Sequence, residues 1–154
     1  MEALTGSGHG RTTMATDTGK TVWAAAAVLA GRAIFAGIFI LAVSFKLRDI
    51  NGTAAYIQAA GLPSAMLLAW LAALLELALV ACFLTGVCFS EAALVAGAYV
   101  IFLAFTFHGP SLWAGNQAQF GFFVDHFTFL AGLLFAAAHG PGRVLALNWS
   151  LIKR

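Results

Sequence analysis

Apolar residues in this chain run in long blocks, without the polar stripe that a soluble amphipathic helix carries. Four blocks stand out, at about 21–45, 64–85, 91–107 and 120–138. Each is about 17–25 residues, the length that crosses a ~30 Å hydrocarbon core as helix. Backbone exposed to lipid must satisfy its own hydrogen bonds, so helix is the conformation these blocks predict. The expected fold class is an all-α membrane protein: an antiparallel bundle of four transmembrane helices. Residues 1–20 are polar and rich in Gly and Thr, which predicts a flexible tail before a transmembrane domain at 21–140. Residues 141–154 form a C-terminal tail. The first block is too long for a signal peptide and lacks a small-residue cleavage site, so it reads as a retained span.

The connections carry their own signals. Ile50, Ala54, Ile57 and Ala60 make a weak apolar stripe in segment 46–63, which predicts a short interfacial helix ended by Gly61 and Pro63. Ser64 then stands where a cap for the second span belongs. The short turn at 85–91 makes spans two and three antiparallel neighbours, and residues 109–119 form a loop at the opposite end.

Composition agrees with the pattern. The chain is 62% hydrophobic and 9% charged, against about 25% charged in a soluble domain. A net charge of +2 gives no case for nucleic acid. Arg11, Lys20, Arg143, Lys153 and Arg154 lie on the side of the two tails, and only Lys46 and Arg48 on the other. The positive-inside rule then places both termini in the cytoplasm. Trp23 and Trp149 are expected at the cytoplasmic interface, Trp113 and Tyr56 at the outer one. Asn51-Gly52-Thr53 and Asn148-Trp149-Ser150 match the glycosylation pattern but fall on opposite sides, so chance explains each better. Cys82 and Cys88 form no CxxC, which argues against a thiol-oxidising enzyme that passes electrons to quinone.

Candidate chemistry begins with charges inside the apolar blocks, where each costs about 2.5–3.5 kcal/mol on insertion scales. Arg32 lies roughly 16 Å, and Glu76 roughly 14 Å, from the cytoplasmic ends of their spans at 1.5 Å per residue. The matched depths predict a buried ion pair, direct or through one intermediary, that locks spans one and two together. Lys46 falls on the same face as Arg32, about 21 Å further along. In span three, Ala93, Gly97, Ile101, Ala104 and His108 share a face of mostly small residues that should pack inward. Asp125 and His126 are adjacent in span four and cannot point the same way; the smaller face, Gly121, Asp125, Phe129, Gly132 and Ala136, favours Asp125 as the inward group.

Lys46, His108, Asp125 and His126 therefore gather in the outer half as a candidate ligand pocket. Phe39, Phe105, Phe107, Phe122 and Phe129 would line it, a setting suited to a quinone headgroup or a small apolar ligand. The spacing matches no metal motif, and no catalytic residue is assigned, because phosphate-loop, zinc-protease and nucleophile-elbow patterns are all missing.

The order Arg32, Gly37, Phe45-Lys46-Leu47, Gly61-Leu62-Pro63, Glu76, Gly86, His108 and His139-Gly140-Pro141-Gly142-Arg143 resembles the DoxX family across about residues 28–148. The resemblance implies a four-helix inner-membrane protein. The founding member is a small subunit of a thiosulfate:quinone oxidoreductase, and other members accompany redox proteins. Quinone is the cofactor it implies, and other membrane or peripheral redox subunits are the implied partners besides the lipid bilayer. The chain departs from the family pattern where a basic residue usually follows span two, at Val87-Cys88-Phe89-Ser90-Glu91, and at Asp125-His126 early in span four. Ala146-Leu147-Asn148 is a degraded match to the family's closing run. The expected role is a membrane subunit or accessory of a redox complex, not catalytic by itself. The alternatives are a small-molecule or proton pathway, and an assembly factor without ligand.

Overall fold

The computed structural model describes residues 9–147. Its five α-helices are α1 (His9–Arg48), α2 (Ile50–Ala59), α3 (Ala65–Thr85), α4 (Phe89–His108) and α5 (Gln117–His139), with a single 3-10 turn at Pro110–Leu112. Among the described residues there is no strand. Among the described residues four segments are long and apolar enough to cross a membrane: Thr21–Arg48, Ala65–Thr85, Phe89–Leu112 and Gln117–His139. The protein is a four-span helical membrane bundle, with α2 as the short extra helix.

Helix α1 begins at His9, inside the segment expected to be a tail. Trp149 and the Asn148 glycosylation pattern lie outside the described residues. Asp49 starts α2 by accepting a hydrogen bond from Gly52 N at 2.8 Å, one of the donors a helix start leaves free. Gly61, at φ 80°, turns the chain after α2. Ser64 does precede α3, but its side chain makes no capping bond, and its left-handed backbone (φ 52°) takes the place of the expected cap.

The helices pack as two pairs. α4 lies along α5 and α1 along α3, α2 rests on α3, and the α3–α4 contact joins the pairs. Small residues decide how close the helices come. Ala69, Ala73, Ala93, Ala96 and Ala104 are almost fully buried, and small side chains at such seams let helix backbones approach where lipid gives no hydrophobic drive. At Gly97 a Cβ would stand 3.1 Å from Leu130 Cδ1 on α5. Ile101, expected on that inward face, is 39% exposed and turned outward.

The interior is layered. Phe35, Phe39, Phe83 and Phe129 form a contiguous aromatic layer, with ring centroids 5.4–5.9 Å apart. Leu79, Ala96 and Leu133 are buried in the same core. Toward the Thr85 end of α3 from this layer lies Arg32. Toward the α2 end lie Lys46, Glu76 and Tyr99.

Candidate functional site

Arg32 and Glu76 are both buried, at 3% and 1% exposure, but they do not form the expected pair. Arg32 donates to five backbone carbonyls: Nε to Phe83 at 3.1 Å, Nη1 to Pro141 and Val144 at 3.3 and 2.9 Å, and Nη2 to Leu84 and Leu145 at 2.6 and 2.8 Å. A guanidinium has five N–H donors, and all are used. Phe83 and Leu84 belong to the last turn of α3, whose carbonyls have no partner within the helix. Pro141, Val144 and Leu145 belong to the segment after α5. Arg32 thus ties the end of one helix to the chain that leaves another. Leu147 N donates to Thr85 O at 2.8 Å and extends the tie.

Glu76 is held elsewhere. Lys46 Nζ donates to Glu76 Oε1 at 2.8 Å, and the Tyr99 hydroxyl donates to the same oxygen at 2.9 Å. The second carboxylate oxygen, Oε2, is buried without a hydrogen-bond partner.

Two geometric reasons separate Arg32 from Glu76. Distance from the first apolar residue is not depth, because α1 overshoots the end of α3 and Arg32 lies level with Phe83 and Leu84, about two turns from Glu76. Side chains on a helix also lean toward its N-terminus. In antiparallel α1 and α3, Arg32 and Glu76 lean apart, whereas Lys46 and Glu76 lean together.

Beside this triad opens a cavity of about 460 Å³. Phe45, Leu71, Leu75, Phe102, Leu103 and Phe107 supply apolar wall, Lys46 and Tyr99 bring the triad to its surface, and Thr53 and Tyr56 border it from α2. His108 and His126 line it too, with ring centroids 5.1 Å apart. His108 Nδ1 is 2.6 Å from Gln119 Oε1, and Trp113 Nε1 donates to His108 O at 2.8 Å, pinning the 109–119 loop to this end of α4.

Of the four residues expected in the pocket, Lys46, His108 and His126 line the cavity and Asp125 does not. Asp125 is exposed, so the inward group of the adjacent pair is His126. The residue-size criterion failed because α5 packs chiefly on α4, which sets its rotation. Among the expected phenylalanines, Phe107 lines the cavity, Phe39 and Phe129 belong to the core, and Phe105 and Phe122 are exposed. Tyr99 was missed altogether. Its signal was available: a phenol in the middle of an apolar span needs a partner. Cys82 and Cys88 are free thiols. Among the described residues no three His, Cys, Asp or Glu side chains come together as a metal site.

The sequence model of the DoxX family matches residues 27–109, more than half of the chain. The chain belongs to the DoxX family. The match takes in Arg32, Lys46, Glu76, Tyr99 and His108. In this DoxX protein His126, which α5 contributes to the cavity wall, and the Arg32-bound carbonyls at 141–145 lie beyond the matched residues. No curated protein and no solved structure matches the chain.

Proposed function

We propose that this DoxX protein is the membrane subunit or accessory of a redox complex, and that its cavity takes the ring of a lipid-soluble quinone. The observation that carries the reading is the cavity itself. A mostly apolar space of about 460 Å³ with a few convergent polar groups has the size and character of a small-molecule site. Its wall of Leu and Phe suits a membrane-soluble ring, and Lys46 can donate a second hydrogen bond besides the one it gives Glu76. The chain contributes binding and orientation; electrons would come from a partner subunit. The basic residues flanking the spans support an inner-membrane placement with both termini cytoplasmic.

A proton pathway through the bundle is the weaker reading. The aromatic layer of Phe35, Phe39, Phe83 and Phe129 lies between Glu76 and Arg32 and contains no group that passes a proton.

The test is titration of the purified protein, in mild detergent, with tetramethyl-para-benzoquinone. Wild type binds it, and Ala72→Phe, which places a ring in the cavity wall, lowers affinity at least about tenfold, the loss of roughly 1.4 kcal/mol of contact. Equal affinity in both proteins, or no binding by either, rules the reading out. Gentle purification should also bring redox subunits with the protein.

A further inference from the structure

The two histidines of the cavity have their protonation pattern set by what their other edges touch. His126 Nδ1 lies 2.6 Å from the Phe122 backbone oxygen, one helical turn back. A carbonyl oxygen only accepts, so Nδ1 carries the hydrogen. His108 Nδ1 lies 2.6 Å from Gln119 Oε1, an amide oxygen that also only accepts. A neutral imidazole has one N–H. In that neutral form both rings spend their donor on the protein, and both keep Nε2 as an acceptor. The Thr53 hydroxyl is committed in the same sense, donating to Asp49 O at 3.0 Å, as is the Tyr99 hydroxyl toward Glu76. Along His108, His126 and Thr53 the cavity offers acceptors.

We propose that His108 and His126 form an acceptor subsite that takes a hydroxyl-bearing ring compound, a hydroquinone or phenol, in preference to the corresponding quinone. A quinone carbonyl can accept from Lys46 but offers nothing to the two Nε2 atoms. A hydroquinone hydroxyl does both, since it accepts through oxygen and donates through hydrogen. A site that offers acceptors to a hydroxyl discriminates against the analogue lacking it, because those acceptors are then left without a donor from the ligand. The inference rests on the proposed occupation of the cavity by such a ring and adds the redox form that the site selects. It concerns binding alone, with no electron transferred.

The experiment is an anaerobic binding titration of the full-length protein in detergent with three probes: tetramethyl-para-hydroquinone, its dimethyl ether and tetramethyl-para-benzoquinone. The hydroquinone should bind about tenfold more tightly than the quinone, the equivalent of one well-made hydrogen bond. The dimethyl ether, which has no donor, should bind no better than the quinone. In the His108→Phe/His126→Phe double variant the preference should vanish, the hydroquinone-to-quinone affinity ratio falling from about ten to about one whatever the change in absolute affinity. The ether comparison uses wild type only and survives a variant that does not fold. Equal binding of all three probes by wild type overturns the acceptor subsite while leaving the cavity reading intact, as does a preference that persists in a folded double variant. Binding of none of the three overturns both.

Discussion

Lys46 and Glu76 meet because the two helices that carry them run in opposite directions. The 2.8 Å bond joins an amine whose side chain is 20% exposed to a carboxylate at 1%, and each side chain follows its natural lean toward the other. Tyr99 adds a donor from a third helix. One carboxylate oxygen thereby connects α1, α3 and α4 beside the cavity.

Removing one partner of this pair should hurt more than removing both. Glu76→Ala leaves the Lys46 ammonium partly buried without its counter-charge and should destabilise the bundle by about 3–5 kcal/mol. The Lys46→Met/Glu76→Met double variant should recover most of that loss, because an apolar pair of similar volume needs no desolvation. Reversible unfolding in mixed detergent, compared across both single variants and the double, measures the difference. A double variant as unstable as Glu76→Ala would show that the pair is not what the stability depends on.

Tyr99→Phe removes a single hydrogen bond to a charged acceptor and keeps the ring. The expected cost is about 1.5–3 kcal/mol, smaller than for Glu76→Ala, since Lys46 still holds Oε1. The same unfolding assay reads it, and a cost equal to that of Glu76→Ala would mean that Tyr99 has a larger role than one bond.

Arg32→Lys should release the chain after α5. Lysine offers three donors where the guanidinium satisfies five carbonyls, so the exchange is not conservative. Arg143 is exposed and sits between the bonded carbonyls of Pro141 and Val144. Trypsin should cut after Arg143 at least about tenfold faster in the variant, because cleavage follows local opening. Cleavage after Arg48, at the other end of the bundle, should be unchanged. Equal rates at Arg143 would show that the five bonds do not hold the segment.

Gly86, which caps the end of α3, is the matching position. Its φ is 78°, and a Cβ there would come within 3.0 Å of Ala146 Cβ. Gly86→Ala should cost about 1–2 kcal/mol from backbone conformation alone, with a further loss as Ala146 is pushed away. Faster trypsin cleavage at Arg143 is expected here too, giving a second readout of the same junction.

Gly97→Leu tests the α4–α5 seam. With Leu130 already 3.1 Å from where a Cβ would stand, added bulk must separate the helices, at about 1–3 kcal/mol for overpacking. The separation should also widen the cavity wall near His126, so binding of the proposed quinone ligand should weaken along with stability.

Much of the architecture was legible because membrane folding writes itself into sequence as length and polarity. Four blocks of about 17–25 apolar residues require four helices when no water can satisfy the backbone. The α2 helix was readable from its stripe and from Gly61 and Pro63, and it runs Ile50–Ala59. The burial of Arg32 and Glu76 followed from the same rule, since a charge within such a block must turn inward.

Which groups meet was decided only in three dimensions. Arg32 and Glu76 have similar counts from their span ends, but the axial offset of α1 against α3 and the lean of the side chains give them different partners. Asp125 and His126 differ by about 100° around α5, and only the packing of α5 on α4 chooses His126 for the cavity. Tyr99 enters the site through a helix whose pattern is almost wholly apolar. Sequence by itself determined the number and character of the helices, because these depend on each segment's own exchange with lipid. Tertiary structure decided the contacts, because these depend on the offset and rotation of one helix against another, which no single segment encodes.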